Sequence, residues 1–367
     1  MQIREVRSRT DWADFFRVPD LIYQSDSHFI PHLKQDIQRI LNPRNPALKG
    51  GGLKVWVLED GGSVIGRIAA FYSEDKPKAG IGFFECIDDS QASRMLFEAA
   101  INFLRTSSKD IVQGPVNAGE RDQYWGLMVN GFSSPAYQEN YNPSYYQRLF
   151  EEAGFKPGIR QTTQEVTPAE FNLSRMKPLA DRVFQDKNIE LKHFRIKQLK
   201  DFAADLVSIY NAAWKAHEHY VPLTLNQVIR LMKSMKSVIR EDLIWFTYFQ
   251  GKPIAFYVSL PDVNQWFRHV NGNFNWWGRL IFILYKKFQP VNRIRGIVFG
   301  VIPEFQGRGI TSGMMMKIFE VFENDPHLKS TELAWVGDFN PRMLALLQSL
   351  GARETKVHVT YERPIDL

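Results

Sequence analysis

The amino-acid sequence predicts an α/β chain made of two copies of one fold in tandem. Three observations carry that prediction. Residues 298–322 pass from an apolar strand through a glycine-rich loop into an amphipathic helix. The segment Asn142-Pro-Ser-Tyr-Tyr-Gln-Arg-Leu-Phe-Glu-Glu-Ala-Gly154 returns, one residue shorter, as Asn340-Pro-Arg-Met-Leu-Ala-Leu-Leu-Gln-Ser-Leu-Gly351. Upstream of each copy, two apolar runs flank a short turn, the pattern of a β-hairpin. Internal similarity over about 170–190 residues marks two copies of one fold, and 367 residues with 44% hydrophobic content supply two cores.

Taken in order, the first copy opens with a short strand, Gln2–Val6, and a helical stretch. Val55–Leu58 and Val64–Phe71 then flank Glu-Asp-Gly-Gly-Ser, a turn that glycine favours. After Gly80-Ile-Gly-Phe-Phe-Glu-Cys-Ile, Asp88 and Asp89 precede a helix from Ser90. Carboxylates cap a helix well but repel a phosphate, so coenzyme binding is not expected in this copy. Cys86, the single cysteine, excludes an internal disulfide, suits a reducing cytoplasm and reads as a small buried hydrophobe. The copies divide into residues 1–166 and 188–367, with Pro168, Pro178 and mixed charge marking 167–187 as a linker. The second copy repeats the plan with strand Ile189–Phe194, a helix, and the runs Ile244–Phe249 and Ile254–Ser259 around Gln-Gly-Lys-Pro. Strand Ile297–Val301 breaks at Pro303, helix Ser312–Phe322 follows, and Thr331–Val336 reads as a buried strand. Asn340-Pro341 opens a helix that Gly351 stops, and Lys356–Glu362 is the final strand.

The loop at 303–311 carries the chemistry. A strand feeding a loop that opens a helix aims backbone N–H groups at one spot, at the positive end of the helix dipole, and such a nest binds phosphate esters. Gly307 and Gly309 let an anion approach the backbone, and Arg308 adds a fixed positive charge. The Walker pattern fails, because no Lys-Ser or Lys-Thr follows the last glycine, and the dinucleotide fingerprint fails for want of a third glycine. What remains is Gln306-x-x-Gly309-x-Thr311 after Val-x-Pro. It resembles the Gln/Arg-x-x-Gly-x-Gly/Ala signature of the GNAT (GCN-five-related N-acetyltransferase) superfamily, with Thr311 in place of the small final residue. For these residues alone, an ordinary glycine turn before a helix is the alternative.

The resemblance extends along the chain, through Phe83-Phe84-Glu85-Cys86, Gln113-Gly114-Pro115, Asn142-Pro-Ser-Tyr-Tyr, Ala213-Trp214, Val270-Asn271-Gly272 and Gly300-Val-Ile-Pro-Glu-Phe-Gln-Gly-Arg-Gly-Ile. It is similar to a bacterial branch of tandem GNAT-like proteins without a defined substrate. The resemblance implies two domains, each a mixed, mostly antiparallel twisted sheet flanked by helices. It implies acetyl-CoA, or another acyl-CoA, as co-substrate on the second copy, held by Gln306, Gly307, Arg308, Gly309, Ile310, Thr311 and Asn340. The amides of Phe299 and Val301 are then the candidates for pantetheine and thioester. Direct attack by a primary amine needs a base and an acid. Relatives carry a Tyr on the last helix where this chain has Leu347, so Tyr361 or water is left as the acid. For the base, the stretch after the first helix of the second copy offers His217, Glu218 and His219. Trp214 and Tyr220 border the acceptor side. Two histidines at i, i+2 point apart on a helix and no third ligand follows, so no metal is expected.

Trp266–Lys287 is longer than a minimal link. It reads most simply as an inserted helix packing its aromatics on the neighbouring domain; Trp276 and Trp277 are also candidates to wall an acceptor, or to graze a membrane with Arg268, Arg279, Lys286 and Lys287 as a rim. The net charge of +6 is spread rather than blocked. Neither nucleic-acid recognition nor membrane contact is expected, nor is a signal peptide, the start being charged from the fourth residue. The sequence therefore points to a cytoplasmic N-acyltransferase acting on an amine, a monomer or a homodimer. A CoA-binding protein without transfer, a lipid-directed acyltransferase and an aminoacyl transferase are the alternatives.

Overall fold

Both hairpins form where the alternating apolar runs place them. The computed structural model describes residues 1–119, 121–215 and 221–366. The first half runs β1 (Gln2–Glu5), α1 (Arg9–Ile22), α2 (Lys34–Ile40), β2 (Gly52–Asp60), β3 (Ser63–Tyr72), β4 (Ala79–Cys86), α3 (Ser90–Leu104), β5 (Ile111–Gly114), β6 (Leu127–Asn130), α4 (Tyr146–Glu152) and β7 (Lys156–Val166). The second runs α5 (Leu173–Gln185), β8 (Ile189–His193), α6 (Leu199–Trp214), α7 (Leu225–Ser234), β9 (Ile244–Phe249), β10 (Lys252–Pro261), α8 (Asn264–Phe267) and α9 (Trp276–Phe288). It ends with β11 (Arg293–Val301), α10 (Ile310–Asn324), β12 (Ser330–Gly337), α11 (Pro341–Ser349) and β13 (Arg353–Pro364).

The described strands join one mixed sheet, in the order β1-β2-β3-β4-β5-β13-β7-β12-β11-β10-β9-β8, with β6 beside β13. The last strand of each half is exchanged. β7 pairs with β12, and β13 pairs with β5 and β6, while β7 and β13 run antiparallel to each other across the middle. A buried ionic cluster lies at this seam. Lys356 on β13 donates to Glu139 and to Glu332, each at 2.7 Å. Glu332 also faces Arg295 at 2.8 Å and Arg293 at 3.0 Å, and Arg293 pairs with Asp262 at 2.8 Å.

Each half contains the same local irregularity. β10 and β11 are in register at Ser259↔Gly296 and again at Val258↔Val298, which leaves Ile297 as an extra residue. β3 and β4 skip likewise between Arg67↔Glu85 and Ala69↔Gly82. A bulge bends its strand and sharpens the twist. Beside each bulge a parallel pair splays: β11 and β12 pair only as far as Gly296↔Leu333, and β4 and β5 only as far as Gly80↔Gln113. In the first half the chain fills its own fork, since Val116 N–H donates to the Ile81 carbonyl at 2.8 Å and a Cβ on Gly82 would meet the Val116 carbonyl at 1.8 Å.

Residues 167–187, read above as a linker, are not a spacer. They hold α5, capped by Asn172, whose side chain accepts from the Arg175 N–H. Met176, Ala180 and Val183 on its inner face are buried, and the helix packs on α10. The two prolines misled because Pro168 precedes the helix and Pro178 is accommodated inside it.

Candidate active site

The loop after β11 is built by its two glycines. Gly307 and Gly309 have φ of 75° and 82°, in the left-handed region. Gly309 is the N-cap of α10 and supplies no side-chain cap. The first α10 hydrogen bond is Gly313 N–H to the Gly309 carbonyl at 3.0 Å, so the amides of Ile310, Thr311 and Ser312 have no partner inside the helix. A Cβ on Gly309 would lie 3.0 Å from the Leu179 carbonyl of α5, whereas one on Gly307 would meet nothing within 4 Å.

The strand leading into this loop has an open edge. Ile302 N–H donates to the Ile254 carbonyl of β10 at 3.0 Å. Strand alternation therefore turns the N–H and C=O groups of Val301 and Phe299 the other way, toward the fork. Gln306 Nε2 occupies part of that edge by donating to the Val301 carbonyl at 3.1 Å.

Loop, strand edge and helix enclose a cavity of about 500 Å³. Phe299, Val301, Gln306, Gly307, Gly309, Ile310, Thr311, Asn340 and Trp214 all line it, so most of the residues singled out from sequence meet in one place. Asn340 also caps α11 by accepting from the Met343 N–H at 3.2 Å. An adjoining cavity of about 270 Å³ occupies the fork and shares Trp214, Phe299, Asn340 and Met343 with the first. Leu347, 3% exposed, lines the fork.

Several assignments change. Arg308 lies outside the cavity lining, with its guanidinium 5.0 Å from the centre of the Phe305 ring. Tyr361 is not in the cleft: β13 carries it into the first half, where it pairs with Gly114, packs against Phe150 and donates to Glu151 at 3.3 Å. Trp276 and Trp277 line neither cavity; they are 65% and 56% exposed and stack on each other. His217, Glu218, His219 and Tyr220 lie outside the described residues, although α6 ends at Trp214 beside the cleft. Cys86 is buried, and burial pushes its thiol up to about 12.

The structure adds residues that the sequence did not flag. Arg175, Met176 and Leu179 of α5 and Arg342 of α11 line the larger cavity. A helical reading of 173–185 would have been the signal for the first three. Tyr257 lines the fork, 1% exposed, with no hydrogen-bond partner for its hydroxyl among the described residues. Burial pushes this phenol up to about 12, partly offset by the nearby hydroxyls of Thr331 and Ser259. Nothing in an alternating apolar strand announces such a residue.

No family model matches the chain. Protein YghO of Escherichia coli (strain K12) is 25% identical over 378 aligned residues, covering 99% of this chain and 95% of the relative. Bacterial ceramide synthase of Caulobacter vibrioides (strain NA1000 / CB15N) is 24% identical over 387, covering 100% and 98%. Among solved structures, a tandem GNAT protein from the clavulanic acid biosynthesis pathway superimposes with a TM-score of 0.57 at 12% identity, covering 99% of this chain and 98% of the other. A GCN5-related N-acetyltransferase from Sphaerobacter thermophilus gives 0.52 at 12% identity, covering 99% and 95%.

Proposed function

We propose, on the premise that this chain has the tandem GNAT fold, that it is an acyl-CoA-dependent N-acyltransferase. Its second half passes an acyl group, acetyl in the simplest case, to a primary amine by direct attack. The observation that carries this reading is the continuity of the cleft from the amides at the start of α10 that have no partner inside the helix, along the open edge of β11, into the fork.

The residues suit the co-substrate. The amides of Ile310, Thr311 and Ser312 would hold its diphosphate, with Arg175 and Arg342 contributing positive charge. The Phe299 and Val301 groups on the β11 edge would hold the pantetheine arm and polarise the acyl carbonyl. Acyl-CoA itself supplies the activated thioester. The base falls to His217, Glu218 or His219, on the stretch leaving α6. Leu347 has no proton to give, so protonation of the departing sulfur is assigned to Tyr257, a phenol that lines the fork and carries its proton at neutral pH. Titration calorimetry with acetyl-CoA tests the donor site: Gly309→Glu places a carboxylate in the nest and abolishes binding. Equal affinity in the two proteins overturns the assignment.

A second reading concerns the substrates. The relative named bacterial ceramide synthase favours a long-chain acyl group or a lipid amine. The fork agrees, lined by Leu333, Ala334, Val336, Phe339, Met343 and Leu347. Thiol release with acetyl-CoA and with a long-chain acyl-CoA, each offered a small amine and a long-chain amino alcohol, separates the two.

A further inference from the structure

Helix α9 has two apolar faces. Gly278, Ile281 and Phe282 turn inward, and the Phe282 ring lies 4.9 Å from that of Phe267; Tyr285, 37% exposed, stacks on His269 at 3.6 Å at the edge of this face. Trp276, Trp277, Leu280, Ile283, Leu284 and Phe288 turn outward, at 65%, 56%, 41%, 59%, 46% and 72% exposure. Their spacing of three and four residues places them in one stripe. Six large apolar side chains on one exposed helix face form a contiguous patch, and such patches mark interaction surfaces.

We propose that this stripe docks the protein on the surface of an anionic lipid bilayer, with α9 lying in the plane of the interface. Charge selects this occupant. Residues 263–292 contain Arg268, Arg279, Lys286 and Lys287 and not one Asp or Glu. A second copy of the chain would set the same stripe and the same cations against each other, with no carboxylate from this segment between them. Anionic headgroups oppose those cations instead. Trp276 and Trp277, stacked at 3.9 Å, provide flat amphipathic rings suited to headgroup depth, and the Lys287 and Arg279 stems can lie along apolar surface while their charges stay in water. No described helix is long and apolar enough to cross a membrane, so the contact is a surface one. This proposal departs from the sequence expectation of no membrane contact, and it does not depend on the acyl-transfer reading.

The test is co-sedimentation of the full chain with two vesicle preparations, phosphatidylcholine alone and phosphatidylcholine with about 30% phosphatidylglycerol. The expected result is partition onto the anionic vesicles at least about tenfold above the zwitterionic ones, reversed by high salt. The exposed triple variant Ile283→Ser/Leu284→Ser/Phe288→Ser lowers it about tenfold or more, with circular dichroism unchanged. Arg279→Gln/Lys287→Gln lowers partition only onto the anionic vesicles. Absence of binding to anionic vesicles overturns the proposal, as does equal partition of native and triple-variant protein. So does a concentration-dependent dimer in sedimentation velocity that the triple variant abolishes, which would make the stripe a protein interface.

Discussion

Two glycines in the loop between β11 and α10, Gly307 and Gly309, are chemically identical and physically different. Gly309 has a left-handed φ and the backbone of Leu179 against it, while Gly307 has the same φ with open space around it. Alanine at 307 should cost only the conformational strain, about 1–2 kcal/mol. Alanine at 309 adds displacement of α5, so acetyl-CoA affinity should fall further there; equal losses by calorimetry would show that α5 does not brace the loop. Tyr257 makes a sharper case. If its hydroxyl delivers the proton to sulfur, Tyr257→Phe should lower kcat by about 10²–10⁴-fold while leaving KM for acyl-CoA near its native value. A change confined to KM would make it a packing residue. The loop was legible in the sequence because its geometry is local, written in Gly307, Gly309 and the helix that follows. Tyr257 was not, because its position depends on a fork between two strands that the chain order does not reveal.

At the level of elements, the readable parts were those whose signals lie within a few residues of each other. Glu-Asp-Gly-Gly-Ser and Gln-Gly-Lys-Pro do close hairpins between β2 and β3 and between β9 and β10. Asn340 does cap α11, and Asp89, read as a cap, accepts from the Ala92 N–H at 2.7 Å. The failures came where an element's meaning lies in distant contacts. α5 carries two warning signs of a loop, a nearby Pro168 and an internal Pro178, yet its Met176 is 1% exposed and lines the larger cavity. Tertiary packing outweighs a proline's cost when one face of the helix is fully buried. Met176→Ala should therefore destabilise the protein by about 2–5 kcal/mol in urea unfolding. An effect under about 0.5 kcal/mol, typical of a surface site, would return the segment to the status of a spacer.

On the scale of the whole molecule, the exchanged strands make the halves interdependent. Each half lends its last strand to the other's sheet, so β12 has no inner neighbour without β7, and β5 none without β13. A tandem repeat read from sequence suggests two separable domains; the pairing predicts one cooperative unfolding transition. Lys356 is the residue that tests this, because it sits on an exchanged strand and neutralises carboxylates at the seam, Glu139 and Glu332. Burial alone would raise both carboxyls, but Lys356 with the neighbouring arginines outweighs it and holds both below the usual carboxylate range. A carboxylate depressed by folding contributes stability above its unfolded pKa, and that contribution drains away as pH falls toward the folded value. Native stability should therefore be full at neutral pH and decline through the acid range below about pH 4.5. Lys356→Met removes the central cation and leaves the carboxylates buried with weaker compensation, at a cost of about 3–5 kcal/mol near neutrality. Because protonation relieves the same two groups, that cost should shrink as the pH is lowered. Measured by denaturant unfolding across pH, a single transition that shifts as a whole supports the coupled seam. Two separated transitions, only one of them moved by the substitution, would mean that each half folds on its own.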